Sequence, residues 1–299
     1  MGAWTGSGAC FSVREIPVSG CTIIRSSIGF DYPLEESIRS LLPLVEEVVV
    51  VAHRGDALAR ETVRALDDSR VTIVETDWDD GPSGEGRVLA RQTNVALQRC
   101  RHAWVLYLQA DEVLHEAEHE VVRGALARYH DVERVDALTF RFLHFEGAYD
   151  LVNPFRYRRQ CRLVRNDGRL ESVGDAAGFG RRDGRRLRTR ESGARIFHYG
   201  WARPPAQLKA KTLALASLYS DEAQVARRWG GVPADRLGRV ELAFRWRGAH
   251  PVAMHPRIAR MDWRIPEARR PPLDTPLLSL RFYAAWLGKW GLMPRRWWL

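Results

Sequence analysis

The chain has 299 residues, 45% of them hydrophobic and 28% charged, and carries a formal net charge of +9. That length and balance suit a soluble globular protein with one large domain, or one domain plus an appendage. No apolar run approaches the roughly 20 residues needed to span a bilayer. The four cysteines (Cys10, Cys21, Cys100, Cys161) form no CxxC pair and read as reduced thiols of a cytosolic protein, which excludes a disulfide frame or a zinc site.

Residues 1–20 read as a loose leader without the charged and apolar regions of a secretion signal, and Gly6 argues against myristoylation. A short strand is predicted at 21–24, then a loop through Tyr32-Pro33 and a helix over 34–42 ended by Pro43. Strands follow at 48–52 and 71–75 with a helix over 56–66 between them. A glycine-rich loop at 81–86 leads to a helix over 87–100 and a strand at 104–108. This β-α-β-α-β-α-β order implies a parallel, Rossmann-like sheet with right-handed crossovers and helices on both faces. After a helix over 116–129 the texture turns to strands at 136–145, 157–164 and 194–198, with an arginine- and glycine-rich loop at 178–190. From Pro204 onward the pattern is helical and basic, broken by many prolines, and it ends in RFYAAWLGKWGLMPRRWWL. That aromatic and basic end suits either the headgroup layer of a membrane or a terminal helix docked by its aromatics.

The charge is divided unevenly. Residues 1–150 hold 15 Lys and Arg against 25 Asp and Glu, whereas residues 151–299 hold 31 against 12. The basic half can receive phosphates, an anionic acceptor or an anionic membrane surface; solvated arginine faces explain it equally well.

The most informative stretch is AWVLYLQADEVLHE, residues 103–116. A buried strand there delivers Asp111 and Glu112 to its carboxyl end, the edge where open α/β sheets bind ligands. Two adjacent carboxylates at that edge can hold a divalent cation against phosphate oxygens. A bland alternative stands beside this: Asp111 as the cap of the next helix, which leaves Glu112 unexplained.

The pieces YPLEESIRSLLPLVEEVVV, TDWDD, GRVLARQTNVAL, VLYLQADEVLHE, FRFLHFEGAYD, RLVRND and IFHYGWARPP, in this order between Cys21 and Lys211, resemble family 2 glycosyltransferases with a GT-A fold. The resemblance implies a bacterial enzyme that moves a sugar from a nucleotide-diphosphate sugar to a surface-glycan, polysaccharide or lipid-linked acceptor, with inversion. It also implies Mg2+ or Mn2+ as cofactor. The family's DxD motif appears here as a QADE variant. Gln109 takes the first acidic slot and suits a ribose hydroxyl, Asp111 matches the metal-contacting Asp, and Glu112 adds a second carboxylate. His198, in IFHYGW, is the family's late histidine completing the metal shell, or else a satisfied buried histidine.

The nucleotide is expected across the ends of the first three strands, at Arg25, Asp56, Asp77 and Arg87. Arg87 at a helix start is otherwise a surface residue. For the general base the candidates are Glu146, Asp150 and Asp175, with Asp175 preferred on its loop and a plain turn role as the alternative. His144, Tyr149 and Trp201 suit a wall for sugar rings. Arg162 and Arg165 fit either a diphosphate or acidic acceptor, or the solvent face of an edge strand. The domain plan is a leader (1–20), a GT-A domain (21–205) and a helical Arg/Trp-rich extension (206–299), in a cytoplasmic protein with possible inner-membrane contact through the extension. A nucleotidyltransferase fits the first half but lacks a glycine-rich basic loop after the first strand. Nucleic-acid binding is disfavoured because the acidic half repels phosphate and no nucleic-acid-binding motif occurs.

Overall fold

The computed structural model describes residues 16–25, 29–78, 86–234 and 237–265. The first half alternates strands and helices: β1 (Val18–Ile24), α1 (Leu34–Leu41), β2 (Glu47–His53), α2 (Ala57–Ala65), β3 (Val71–Thr76), α3 (Arg87–Arg99) and β4 (Trp104–Tyr107). These strands run parallel in the order β3-β2-β1-β4. The valine run of β2 shows why both faces must be covered. Val48, Val50 and Ala52 point into one core with residues of α1 and α2, while Val49 and Val51 point into another beneath α3. Asp56 caps α2, its Oδ1 accepting from Ala59 N at 3.1 Å.

The chain continues through β5 (Glu112–Leu114), α4 (His119–Tyr129), β6 (Ala137–Glu146), β7 (Leu151–Val152), β8 (Arg159–Arg165), β9 (Leu170–Val173), β10 (Gly178–Arg181) and β11 (Thr189–Trp201). It then passes through α5 (Pro205–Ala216), α6 (Glu222–Val225), β12 (Phe244–Arg245) and α7 (His255–Ala259). Strand β8 enters antiparallel between β4 and β6, and β7 and β12 extend the sheet beyond β6. Strand β11 lies parallel to β6 and carries the short β5 antiparallel, so that His198 sits opposite Glu112. Strands β9 and β10 form a separate hairpin. The result is the expected Rossmann-like α/β fold with a mixed sheet.

Three segments depart from the sequence reading. Residues 112–114 stay extended as β5, because Val113 and Leu114 bury against β11, and a turn at Glu116–Glu118 precedes α4. The expected 178–190 loop contains β10 and the start of β11, drawn in by Arg181 and Arg188 on Asp136. The part after Pro204 is only partly helical: it includes a π-helical turn at Ala226–Gly230 and the β12 ladder on β7. Residues 1–15, 81–85 and the aromatic-basic end at 266–299 lie outside the described residues. Among the described residues no helix is long and apolar enough to cross a membrane.

Candidate active site at the carboxyl edge of the sheet

Strand β4 ends at Tyr107 and hands Gln109 and Asp111 to the carboxyl edge. Tyr199 N donates to Asp111 O at 2.8 Å, which fastens this turn to the end of β11. The Asp111 carboxylate is buried and surrounded by three nitrogen-bearing side chains. Lys211 Nζ, from α5, lies 2.6 Å from its Oδ2; His198 Nε2 and Arg203 Nη2 each lie 3.6 Å away. Burial alone would raise the Asp111 pKa, but Lys211, His198 and Arg203 hold it well below the usual carboxylate range. Lys211 also donates to Gly200 O at 3.0 Å, and burial together with Arg203 pushes its ammonium down to about 8. Tyr32 lies under both cations, its ring centroid 4.9 Å from Arg203 and 5.0 Å from Lys211. Arg203 Nε is buried with no acceptor among the described residues.

Gly200 is required here. A Cβ on it would stand 2.5 Å from the His198 ring and 3.0 Å from Asp111 Oδ2. His198 is fixed from its other side by His144, Nδ1 to Nδ1 at 2.8 Å, while His144 Nε2 meets Tyr157 O at 2.7 Å. Burial drives both rings toward the neutral form, His144 to about 4. The carbonyl only accepts, so His144 carries its proton on Nε2 and accepts at Nδ1. His198 therefore donates from Nδ1, and its bare Nε2 faces Asp111. Asp111 and His198 are two groups of the kind that ligate a divalent cation, and the Lys211 ammonium already sits 2.6 Å from Asp111 Oδ2.

Glu112 does not join them. Its side chain is fully buried and grips Arg162, Nε to Oε2 and Nη2 to Oε1, both at 2.7 Å, with Arg162 equally buried. Gln109 N adds a third bond at 3.1 Å. The two neighbouring carboxylates thus face different surroundings, which corrects the expectation that they share a cation. Arg162 is no solvent-facing strand residue either: it donates to Cys161 O and Ala177 O and lies near the Tyr107 and Phe142 rings. Among the described residues no group of three or more His, Cys, Asp and Glu forms a metal cluster.

Asp175 is exposed on the turn after β9. Its Oδ2 accepts from Tyr219 at 3.0 Å and its Oδ1 from Ala177 N at 3.3 Å. Gln109 Nε2 and Arg162 hold the next two carbonyls, of Ala176 and Ala177, so this turn is tied to the Asp111 motif. Ala176 adopts φ 60°, a left-handed conformation that costs a non-glycine residue about 1 kcal/mol. Gly86, at the entry to α3, packs against both Asp175 and Tyr219, where a Cβ would come within 2.6 Å of the Tyr219 hydroxyl.

The other candidates lie apart from the Asp111 cluster, Arg165 at the far edge beside the start of β4. Arg25 reaches Ala214 O on α5 at 3.4 Å, Asp77 pairs with Arg54 at 2.8 Å in solvent, and Arg87 is exposed at the start of α3. Asp56 is the buried cap of α2. Glu146 is ruled out as a mobile base because Arg156, Asn153 and Arg239 N occupy its buried carboxylate. Arg165 donates to the carbonyls around Val135 and covers Trp104. Trp201 lies under Arg156 at 3.7 Å, and Tyr149 packs on Tyr199 and Trp263. Sequence reasoning passed over Lys211, Arg203 and Tyr32. One signal was present: the chain has only three lysines among 46 basic side chains, and two of them, Lys209 and Lys211, fall in α5.

No protein-family model and no curated protein matches the chain. Among solved structures it is similar to residues 1–349 of S. aureus TarS, at 12% identity and a TM-score of 0.38, covering 71% of this chain and 69% of that one. The same protein in complex with UDP-GlcNAc gives 13% and 0.40, over 71% and 70%. The 4-diphosphocytidyl-2C-methyl-D-erythritol synthase of Anaerococcus prevotii DSM 20548 gives 12% and 0.33, over 52% and 72%.

Proposed function

We propose that the chain is a glycosyltransferase of GT-A type that moves a sugar from a nucleoside-diphosphate sugar to an acceptor hydroxyl. One observation carries this reading: at the carboxyl edge of a parallel sheet, a single buried carboxylate meets two cations, the Lys211 ammonium and the Arg203 guanidinium, beside a neutral imidazole. Surplus positive charge at that edge suits a departing diphosphate. Lys211 and Arg203 would supply the positive charge facing its oxygens. Asp111 and His198 would hold Mn2+ or Mg2+, which when bound supplies Lewis-acid charge neutralisation to the diphosphate. The ordered motifs from Cys21 to Lys211 support the family 2 resemblance, and inversion is what that resemblance implies.

In such a transfer the acceptor oxygen attacks the anomeric carbon while the bond from that carbon to the diphosphate oxygen breaks. The acceptor proton passes to a base, for which Asp175 is proposed; the donated hydroxyl of Tyr219 steadies it. Gln109, Arg25, Asp56, Asp77 and Arg87 lie along the edge where the nucleoside would rest. Glycan or lipid-linked acceptors and peripheral membrane contact belong to the same proposal.

Thermal unfolding with nucleoside diphosphates and their sugars, with and without Mn2+, tests the reading. A stabilising shift with one nucleotide series, absent in Asp111→Asn, is the expected result. No shift with any nucleotide in either condition would overturn it.

A further inference from the structure

Away from Asp111, the register of three adjacent strands places arginines side by side. Arg195 on β11 stands opposite Arg141 on β6, and Arg141 stands opposite Arg159 on β8. Directly opposed residues share a face, with Cβ atoms about 5 Å apart, and like charges so placed destabilise a sheet. A bulge between Glu191 and Arg195 sets this register, with Gly193 at φ 85° inside it. The side chains remain about half exposed, at 50%, 59% and 48%. Glu191 serves both Arg141 and Arg159, and Glu118 serves Arg195, so two carboxylates face three guanidiniums.

These arginines line a groove of about 830 Å3 together with Arg158, Tyr157 and Trp246. His144 also lines it, and His144 is the ring bonded to His198 beside Asp111. His144 and His198 lie three residues beyond Arg141 and Arg195 on the same two strands, so their rings face the other side of the sheet from the arginine row. Guanidinium forks match carboxylate and phosphate oxygens in pairs, and aromatic rings offer apolar faces to sugar rings.

We infer that this groove binds an anionic oligosaccharide, sugars bearing carboxylate or phosphate groups. This binding does not depend on the transferase reading. Fluorescence anisotropy with labelled hexagalacturonate, phosphorylated maltohexaose and neutral maltohexaose tests it on the full chain. At least one anionic probe should bind, the two arms telling carboxylate from phosphate, while the neutral probe binds at least about tenfold more weakly. The Arg141→Ser/Arg159→Ser variant should lose about tenfold in affinity for that probe, with its melting curve and nucleotide-diphosphate binding unchanged. Equal affinity for neutral and anionic probes, undiminished binding in the variant, or binding of neither anionic probe would overturn the inference. So would phosphatidylglycerol vesicles displacing the bound probe. Loss of nucleotide binding in the unaltered chain would sink the transferase reading while leaving the groove intact.

Discussion

Two buried carboxylates, adjacent in the chain, end in opposite situations. Glu112 and Arg162 close on each other through two 2.7 Å bonds, charge matched by charge and both side chains fully buried. Asp111 meets Lys211, Arg203 and His198 together, and the centre keeps surplus positive charge with an Arg203 N–H left over. A closed pair stiffens a fold and has nothing left to offer a ligand. The Asp111 centre, with a positive charge left unmatched, is the one proposed to receive an anion.

The largest expected effect separates the two directly. Asp111→Asn should reduce sugar transfer by on the order of 10^3-fold, because it removes the anchor of the whole cluster. A rate assay with the donor identified by thermal shift checks this, and transfer within a few-fold of the unaltered chain would remove Asp111 from the site. Glu112→Gln should instead act on stability, costing about 3 kcal/mol in urea unfolding by leaving the Arg162 charge buried without its partner. Adding Arg162→Met to that variant should recover most of the loss; if it recovers none, the pair is not the closed unit described. Lys211→Met should weaken diphosphate binding by roughly tenfold to a hundredfold, while Lys211→Arg retains part of it.

Asp136 sharpens the comparison at the surface. Hydrogen bonds from Arg188, then Arg181, hold its carboxyl at about 2 although Asp136 itself is buried beneath these arginines. Its folded pKa lies below the unfolded value, so its contribution is complete above about pH 4 and fades as pH falls toward 2. Arg188 is 39% exposed, and solvent screening reduces the expected contribution to about 1 kcal/mol. Asp136→Asn should lose that amount at pH 7 and flatten the acid limb of stability between pH 4 and 2, as read by urea unfolding across that range.

Much of the sheet was legible because β2 and β4 are near-continuous apolar runs, the mark of strands buried on both faces, while β1, with Ser19, Gly20 and Thr22, reads as a strand only over 21–24. Strand β5 was not, because three residues placed before a helix pattern carry no period of their own. The position of Asp111 was legible from the end of an apolar strand. The fate of Glu112 was not, since its partner Arg162 is 50 residues away and alternating arginines look like a solvated edge. Nor was the meeting of His144 and His198, which depends on β6 and β11 lying parallel across 54 residues of chain. Asp56 reads from the sequence as a nucleotide contact, whereas its buried carboxylate caps α2, a role its place before a helix also allows.

The most direct test of the open Asp111 centre is calorimetric titration of nucleoside diphosphates into the unaltered chain and into Lys211→Met. The account predicts that one diphosphate binds the unaltered chain and is held at least about tenfold more weakly by the variant. Equal affinity for the two proteins would contradict it.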